Sequence, residues 1–277
     1  MRRALVLGGG GVTGVAWELG LLVGLVERGV SVTEADLVVG TSAGSVVGAQ
    51  VCSGLPLEQL YQEQLVPPSS ELPARLGFLT LARLVWAGGR TRDAVRSRAR
   101  IGAMAVAART QSEASRRAVI EALLPGRDWP ARRLLITAVD AATGEFVVFD
   151  RAGEVSLVDA VGASCAVPGV WPPVTVGARR YVDGGMRSSV NADLAADAQR
   201  VLVIAPTSAA FGPMPRLSAQ LAGLRAAGSR VAVVTPDAAA RTAIGRNVLD
   251  PARRAGAARA GRAQAAAVVD EVAALWV

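Results

Sequence analysis

The chain has 277 residues, 51% of them hydrophobic and 19% charged, and a formal net charge of +7. This composition supplies a core for one large or two small domains and excludes a disordered chain. There is no histidine and no lysine, so all 30 basic residues are arginines; this excludes Ser-His-Asp and Cys-His catalysis, a lysine base and a phosphate-loop lysine.

Arg3-Ala4-Leu5-Val6-Leu7 reads as a buried strand, followed by the glycine run Gly8 to Gly11 and then Val12-Thr13-Gly14. Val15 to Arg28 is predicted helical, with Leu19, Leu22, Val23 and Val26 at helical spacing. Met1-Arg2-Arg3 before Ala4 to Leu7 has a superficial likeness to a signal peptide. The glycines cut the apolar run short, and the expectation is a cytoplasmic protein. Gly9, Gly11 and Gly14 fit G-x-G-x-x-G, the dinucleotide fingerprint, with Glu34 or Asp36 as the ribose acid. The competing reading is an oxyanion loop, since a glycine nest at a helix N-terminus suits negative charge in either case.

The next strand separates the two. A ribose acid should end it, but Leu37-Val38-Val39 runs instead into Gly40-Thr41-Ser42-Ala43-Gly44 and an Ala/Val-rich helix. G-x-S-x-G between a strand and a helix is the setting of a nucleophile elbow. Side chains two residues either side of the serine would collide with the flanking strand and helix, and the helix start brings free N–H groups beside it. The sequence therefore favours the oxyanion loop over the nucleotide site.

Leu57 to Leu124 is mainly helical in pattern, with breaks at Pro67-Pro68, Pro73 and Gly88-Gly89. From Arg83 to Arg133, 12 arginines stand against 4 acidic residues (Asp93, Glu113, Glu121 and Asp128), and the rest of the chain is close to neutral. Two readings compete: a solvated helical face, or a basic cap at about 67–130 that makes peripheral contact with anionic lipid headgroups. Few aromatic residues interleave with the arginines, so no nucleic-acid partner is expected.

Arg133 to Val139 is a strand candidate, Ala142-Thr143-Gly144 a turn, and Glu145 to Phe149 a second hairpin arm. Ser156 is placed to cap a helix through Gly162, and Trp171-Pro172-Pro173-Val174 continues as extended chain. Arg180-Tyr181-Val182 delivers Asp183 to a strand end, before Gly184 and Gly185. Asp-Gly alone is an ordinary turn signal. Arg200 to Ala205 and Arg230 to Thr235 are further buried strands, and Pro251 opens a last helix to about Leu275. The longest uncharged run, Ala160 to Ala178, contains Pro168, Pro172 and Pro173 and is not a membrane-spanning helix. Cys52 and Cys165 are too few for a disulfide framework or a zinc site, and no metal or cofactor is expected. Strands alternating with helices imply a mostly parallel sheet covered on both faces.

Three separated motifs give the chain its resemblance to the patatin-like phospholipases. Gly9-Gly10-Gly11-Val12-Thr13-Gly14 is similar to that family's oxyanion loop, Gly40-Thr41-Ser42-Ala43-Gly44 to its nucleophile motif, and Asp183-Gly184-Gly185 to its aspartate motif. Ala163-Ser164-Cys165-Ala166-Val167-Pro168 is similar to the S-x-A-x-P stretch that precedes the aspartate. The resemblance spans roughly residues 3–205 and implies a three-layer α/β/α sandwich in one domain, 1–277. It also implies hydrolysis of lipid acyl esters by a Ser42–Asp183 dyad, with N–H groups of Gly10, Gly11 and Ala43 at the oxyanion. Independently, a chain without histidine has few bases other than a carboxylate. Thr13 departs from the Arg or Lys usual in the family's loop, which leaves the preferred substrate open. The alternatives are an acyltransferase, a non-catalytic lipid-binding relative and, third, a nucleotide binder using Gly9 to Gly14.

Overall fold

The computed structural model of the protein describes residues 2–67, 78–89, 91–208, 210 and 212–276. Strand β1 (Arg3–Leu7) leads through the glycine loop into helix α1 (Gly11–Val26), and β2 (Leu37–Gly40) leads through Thr41-Ser42 into α2 (Ala43–Cys52). Helices α3 (Leu57–Leu65), α4 (Phe78–Gly89), α5 (Ala94–Ala107) and α6 (Glu113–Leu123) follow. The chain returns to the sheet through β3 (Arg133–Asp140) and β4 (Phe146–Phe149), and α7 (Leu157–Ser164) connects to a hairpin of β5 (Val174–Val176) and β6 (Arg179–Asp183). Then come β7 (Arg200–Ile204), α8 (Leu217–Ala226), β8 (Arg230–Val234), α9 (Ala238–Ile244) and α10 (Arg254–Trp276).

The strands form one sheet in the order β5-β6-β3-β2-β1-β7-β8, with β4 paired to β3 off that path. The β3-β2-β1-β7-β8 stretch is parallel throughout, while the β3–β4, β3–β6 and β5–β6 pairings are antiparallel. Side chains alternate faces along each strand, and here both faces are apolar. Leu5, Leu7, Val38, Leu134, Leu202 and Ile204 belong to a core shared with α1, α2, α7 and α10. Ala4, Val6, Leu37, Val39, Val201 and Val203 belong to a second core with Ala192, Ala195 and Leu224. The expected α/β/α sandwich is therefore the architecture observed.

Helix α1 lies against α10 in a close crossing. A Cβ on Gly20 would sit 2.0 Å from the Ala258 carbonyl oxygen, and one on Gly261 would sit 2.2 Å from that of Trp17. The small residues of the last helix thus serve packing. Trp17 Nε1 donates to Gln264 Oε1 at 3.0 Å across the same contact. Glu18 is fully buried in α1, and neither carboxyl oxygen has a hydrogen-bond partner among the described residues. Burial pushes its carboxyl well above the usual carboxylate range; the nearby Gly8 N–H offsets this only in part, because its hydrogen bond goes to the Ile204 carbonyl at 2.9 Å.

Several boundaries differ from the sequence expectation. Helix α1 begins at Gly11 rather than Val15, because the Gly14 N–H already bonds the Gly10 carbonyl at 2.9 Å. Glycine propensity argues against helix there, and packing overrides it. Helix α4 runs through Gly88-Gly89 and stops there, where Ser97 Oγ donates to the Gly88 carbonyl at 2.9 Å. The break foreseen at Pro68 and Pro73 falls outside the described residues. Helix α7 continues two residues past Gly162, capped as expected by Ser156, which accepts from the Asp159 N–H at 3.1 Å. The segment expected as extended chain at Val174 is a strand, because β6 pairs with it.

The basic region is less bare than its composition suggests. Arg96 pairs with Asp93, Arg117 with Glu121 and Asp159, Arg127 with Glu121, and Arg133 with Asp197. Arg98 donates to the Gly144 carbonyl at 2.6 Å, and Arg132 donates to that of Thr33. Among the described residues no helix is long and apolar enough to cross a membrane.

Candidate active site

The parallel strands β1 and β2 both end at one edge of the sheet, and this brings the glycine loop and Ser42 together. Ser42 follows the tip of β2 with φ 51° and ψ −115°, one of two non-glycine residues at positive φ among those described. Such a conformation costs about 1–3 kcal/mol and persists only where its surroundings fix it. Here they do. The Thr41 N–H donates to the Leu7 carbonyl at 3.1 Å, and the Ser42 N–H donates to Ser164 Oγ at 2.9 Å. The Ser42 carbonyl accepts from the Ser45 N–H at 2.8 Å and from Ser45 Oγ at 2.6 Å. The steric reason for the flanking glycines also holds: a Cβ on Gly40 would lie 2.6 Å from the Gly44 carbonyl oxygen, and one on Gly44 would lie 2.1 Å from that of Leu7.

Asp183 arrives from β6, which is antiparallel to β3 and pairs it with Ala138. Its carboxyl is 3% exposed and accepts from the Gly185 N–H at 2.7 Å. The Ser42 hydroxyl lies near enough to it to favour its charged form, and both residues line one cavity. Burial pushes the Asp183 carboxyl up to about 7, against the downward pull of the Gly185 N–H and the Ser42 hydroxyl. Gly184 lets the strand end approach β3, since a Cβ there would lie 2.2 Å from Thr137 Oγ1.

The glycine loop lies beside Ser42: a Cβ on Gly9 would be 3.5 Å from the Ser42 Cβ. The loop's N–H groups divide into two sets. Gly9 donates to the Ser189 carbonyl at 2.7 Å, Thr13 to Val248 at 3.1 Å and Gly14 to Gly10 at 2.9 Å. Gly10, Gly11, Val12 and Ala43 donate to no described residue. These uncommitted donors sit at the first turns of α1 and α2, where backbone N–H groups have no partner inside the helix. The ribose-acid candidate Asp36 lies elsewhere. It precedes β2 and accepts from the Arg3 N–H at 2.7 Å, at the opposite strand ends from the glycine loop.

Sequence reasoning gave no role to two side chains that hold this geometry. Ser164 fixes the Ser42 N–H. Asn191 is buried in the left-handed region at φ 54°, and its amide donates to Thr41 Oγ1 at 3.0 Å and to the Ser188 carbonyl at 2.8 Å. Gln220 Nε2 in turn donates to Ser188 Oγ at 2.7 Å. Asparagine tolerates left-handed backbone, but no local pattern reveals that its amide reaches a residue 150 positions away.

A cavity of about 570 Å³ opens over Ser42, Asp183 and the glycine loop. Its walls are largely apolar, among them Val15, Val46, Leu123, Trp171, Met186 and Leu249. This size and lining suit an apolar ligand with a few polar anchor points. Cys165 also faces the cavity, but burial pushes its thiol up to about 12, helped by the Asp183 carboxylate, so it is no rival nucleophile.

The model of the patatin-like phospholipase family matches residues 5–196. Among solved structures, VipD from Legionella pneumophila is similar with a TM-score of 0.50 and 13% identity, over 98% of this chain and 67% of that one. The type III effector protein ExoU gives a TM-score of 0.41 and 17% identity, over 98% of this chain and 53% of that one. Identities this low concern the fold alone. The family match spans both sequence motifs at Gly9 to Gly14 and Gly40 to Gly44 as well as Asp183, and covers well over half of the chain: it belongs to the patatin-like phospholipase family.

Proposed function

We propose that this chain is a single-domain lipid acyl hydrolase working through a Ser42–Asp183 dyad. The observation that carries the reading is that Ser42 and a buried Asp183 carboxyl, raised to about 7, face one cavity beside the glycine loop. A base is most effective when its pKa lies near the working pH, and an ordinary aspartate, titrating near about 4, is a weaker base. Ser42 Oγ attacks the ester carbonyl carbon while its proton passes to Asp183. The oxyanion is received by the uncommitted N–H groups of Gly10, Gly11, Val12 and Ala43. Asp183 returns the proton to the departing alcohol, leaving an acyl group on Ser42. Water then gives a proton to Asp183 and attacks the acyl carbon; the acid leaves as Ser42 recovers that proton. An alcohol in place of water would make the same site an acyltransferase.

A fluorophosphonate tests the assignment directly, because it labels only an activated serine. We expect one labelled residue, Ser42, by peptide mass spectrometry, and none in Ser42→Ala. Labelling that survives in the alanine variant removes Ser42 from the mechanism and favours a lipid-binding relative without catalysis.

The substrate class makes contact with a membrane surface part of the proposal. Arg92, Arg100 and Arg109 are exposed on or beside α5, and Trp86 is 65% exposed on α4. Vesicle sedimentation should therefore require anionic lipid and weaken steeply with salt, as the Debye length shrinks from about 10 Å at 0.1 M to about 3 Å at 1 M. Equal binding to neutral and anionic vesicles would return this region to a merely solvated face.

A further inference from the structure

Strand β3 stands between the two halves of the dyad. The sheet runs β6-β3-β2, so the end of β2 that leads to Ser42 and the end of β6 that carries Asp183 are two strand spacings apart, about 10 Å. In register, Ile136 lies opposite Gly40 and Ala138 opposite Asp183. Thr137 is the residue between them, and its side chain points to the opposite face of the sheet from both neighbours.

The Thr137 hydroxyl is fully buried and meets both strand ends. Its Oγ1 lies 2.9 Å from Thr41 Oγ1, a hydrogen bond to the residue next to Ser42. On the other side, a Cβ on Gly184, the residue next to Asp183, would lie 2.2 Å from the same oxygen. The turn after Asp183 therefore rests against this hydroxyl. Asn191 closes the clasp: its Nδ2 donates to Thr41 Oγ1 at 3.0 Å, to Thr137 Oγ1 at 3.4 Å and to the Gly184 carbonyl at 3.5 Å. Its Oδ1 accepts from Arg187 at 2.9 Å, which fixes the way the amide faces. Arg187 is itself held by both carboxyl oxygens of Asp193 and lies 4.3 Å from the Phe146 ring centre. Thr41, Thr137 and Asn191 are all 0% exposed, so water does not compete for these bonds.

We propose that Thr137 is a positioning residue of the dyad: its hydroxyl, clasped by Thr41 and Asn191, sets how closely the Ser42 turn and the Asp183 turn approach each other across β3. The proposal rests on the Ser42–Asp183 reading. Thr137 is not among the residues lining the cavity, so it governs distance and takes no part in the chemistry. Proton transfer from a hydroxyl to a carboxylate needs hydrogen-bond reach, and a displacement of about 1 Å can cost about 10²-fold in rate. A methyl in place of the hydroxyl cannot keep Thr41 Oγ1 at 2.9 Å, because an ordinary non-bonded contact needs about 3.5 Å or more.

Thr137→Val keeps a β-branched residue suited to a strand and exchanges the hydroxyl for a methyl. With a soluble short acyl ester, kcat should fall about 10–100-fold while KM hardly changes. The acidic limb, expected near 7 in wild type, should move to higher pH, because a more distant Ser42 hydroxyl favours the charged form of Asp183 less. The Cys165 thiol is pushed up to about 12 and arginines keep their charge throughout, so the limb reports Asp183. Thr137→Ser, which keeps the hydroxyl, should restore both kcat and the limb. Thr41→Val removes the other hydroxyl of the pair and should shift both in the same sense; no change there overturns the proposal whether or not Thr137→Val folds. A fall in kcat with the limb unmoved is the mark of general loosening and also overturns it. So do equal losses in the valine and serine variants at position 137, or a valine variant within about threefold of wild type. Asp183→Asn in the same assay separates the proposal from the reading beneath it. An active asparagine variant fails the dyad, whereas an inactive one beside an unaffected Thr137→Val fails the positioning role alone.

Discussion

Ser42→Gly should abolish turnover and yet be more stable than Ser42→Ala. Both variants lose the nucleophile, for which a fall of roughly 10⁶ in kcat is expected. Both also lose the hydroxyl that favours the charged form of Asp183. They differ only in backbone. Residue 42 sits at φ 51° and ψ −115°, where a Cβ is strained and glycine is not. The strain is worth about 1–3 kcal/mol, and glycine's greater freedom in the unfolded chain returns about 0.5–1 kcal/mol of it. The glycine variant should therefore be more stable to urea than the alanine variant, by up to about 2.5 kcal/mol. A glycine variant less stable than Ser42→Ala would mean that the turn is relaxed and that nothing is stored at the elbow.

Asp183→Asn should lower hydrolysis of a short acyl ester by about 10²–10⁴, the usual loss on removing a general base. Asparagine keeps the shape and an acceptor for the Gly185 N–H but takes up no proton. Wild-type kcat/KM should rise through an acidic limb centred near 7 and then level off, because the base must be ionised and burial has raised its carboxyl to about 7. The limb should be missing from the residual activity of the variant. Stability moves in the opposite sense. The folded state holds the Asp183 proton up to about 7, whereas the unfolded chain releases it near 4. Between those values the unfolded state binds fewer protons, so this residue makes the fold less stable as pH rises from about 4 to about 7. Asp183→Asn should accordingly gain stability over wild type at pH 8 and lose that advantage at pH 4, with circular dichroism reporting the melting. Activity within about threefold of wild type, far from the expected loss, would break the dyad.

The sequence by itself determined the strands and the order of the motifs. The apolar runs Ala4–Leu7 and Val201–Ile204 lie within observed strands, because the buried stretch of a parallel strand covered on both faces is apolar on both. The elbow was legible from its G-x-S-x-G spacing between a strand and a helix, but only Gly40 meets its steric constraint locally, at Gly44 and Ser45; Gly44 meets Leu7 in the neighbouring strand. Asp183 was legible as an acid at a strand end, but its place beside Ser42 depends on a strand order in which β6 joins β3 and β3 joins β2. Which loop N–H groups remain free was likewise decided by partners far along the chain, Ser189 for Gly9 and Val248 for Thr13. The same holds for Asn191 and Ser164, whose contacts bring together residues distant in sequence. Local pattern fixes what a segment of this chain can become. Long-range packing fixes which polar atoms are left unpaired, and among the described residues the uncommitted N–H groups of the glycine loop belong to residues that line the cavity.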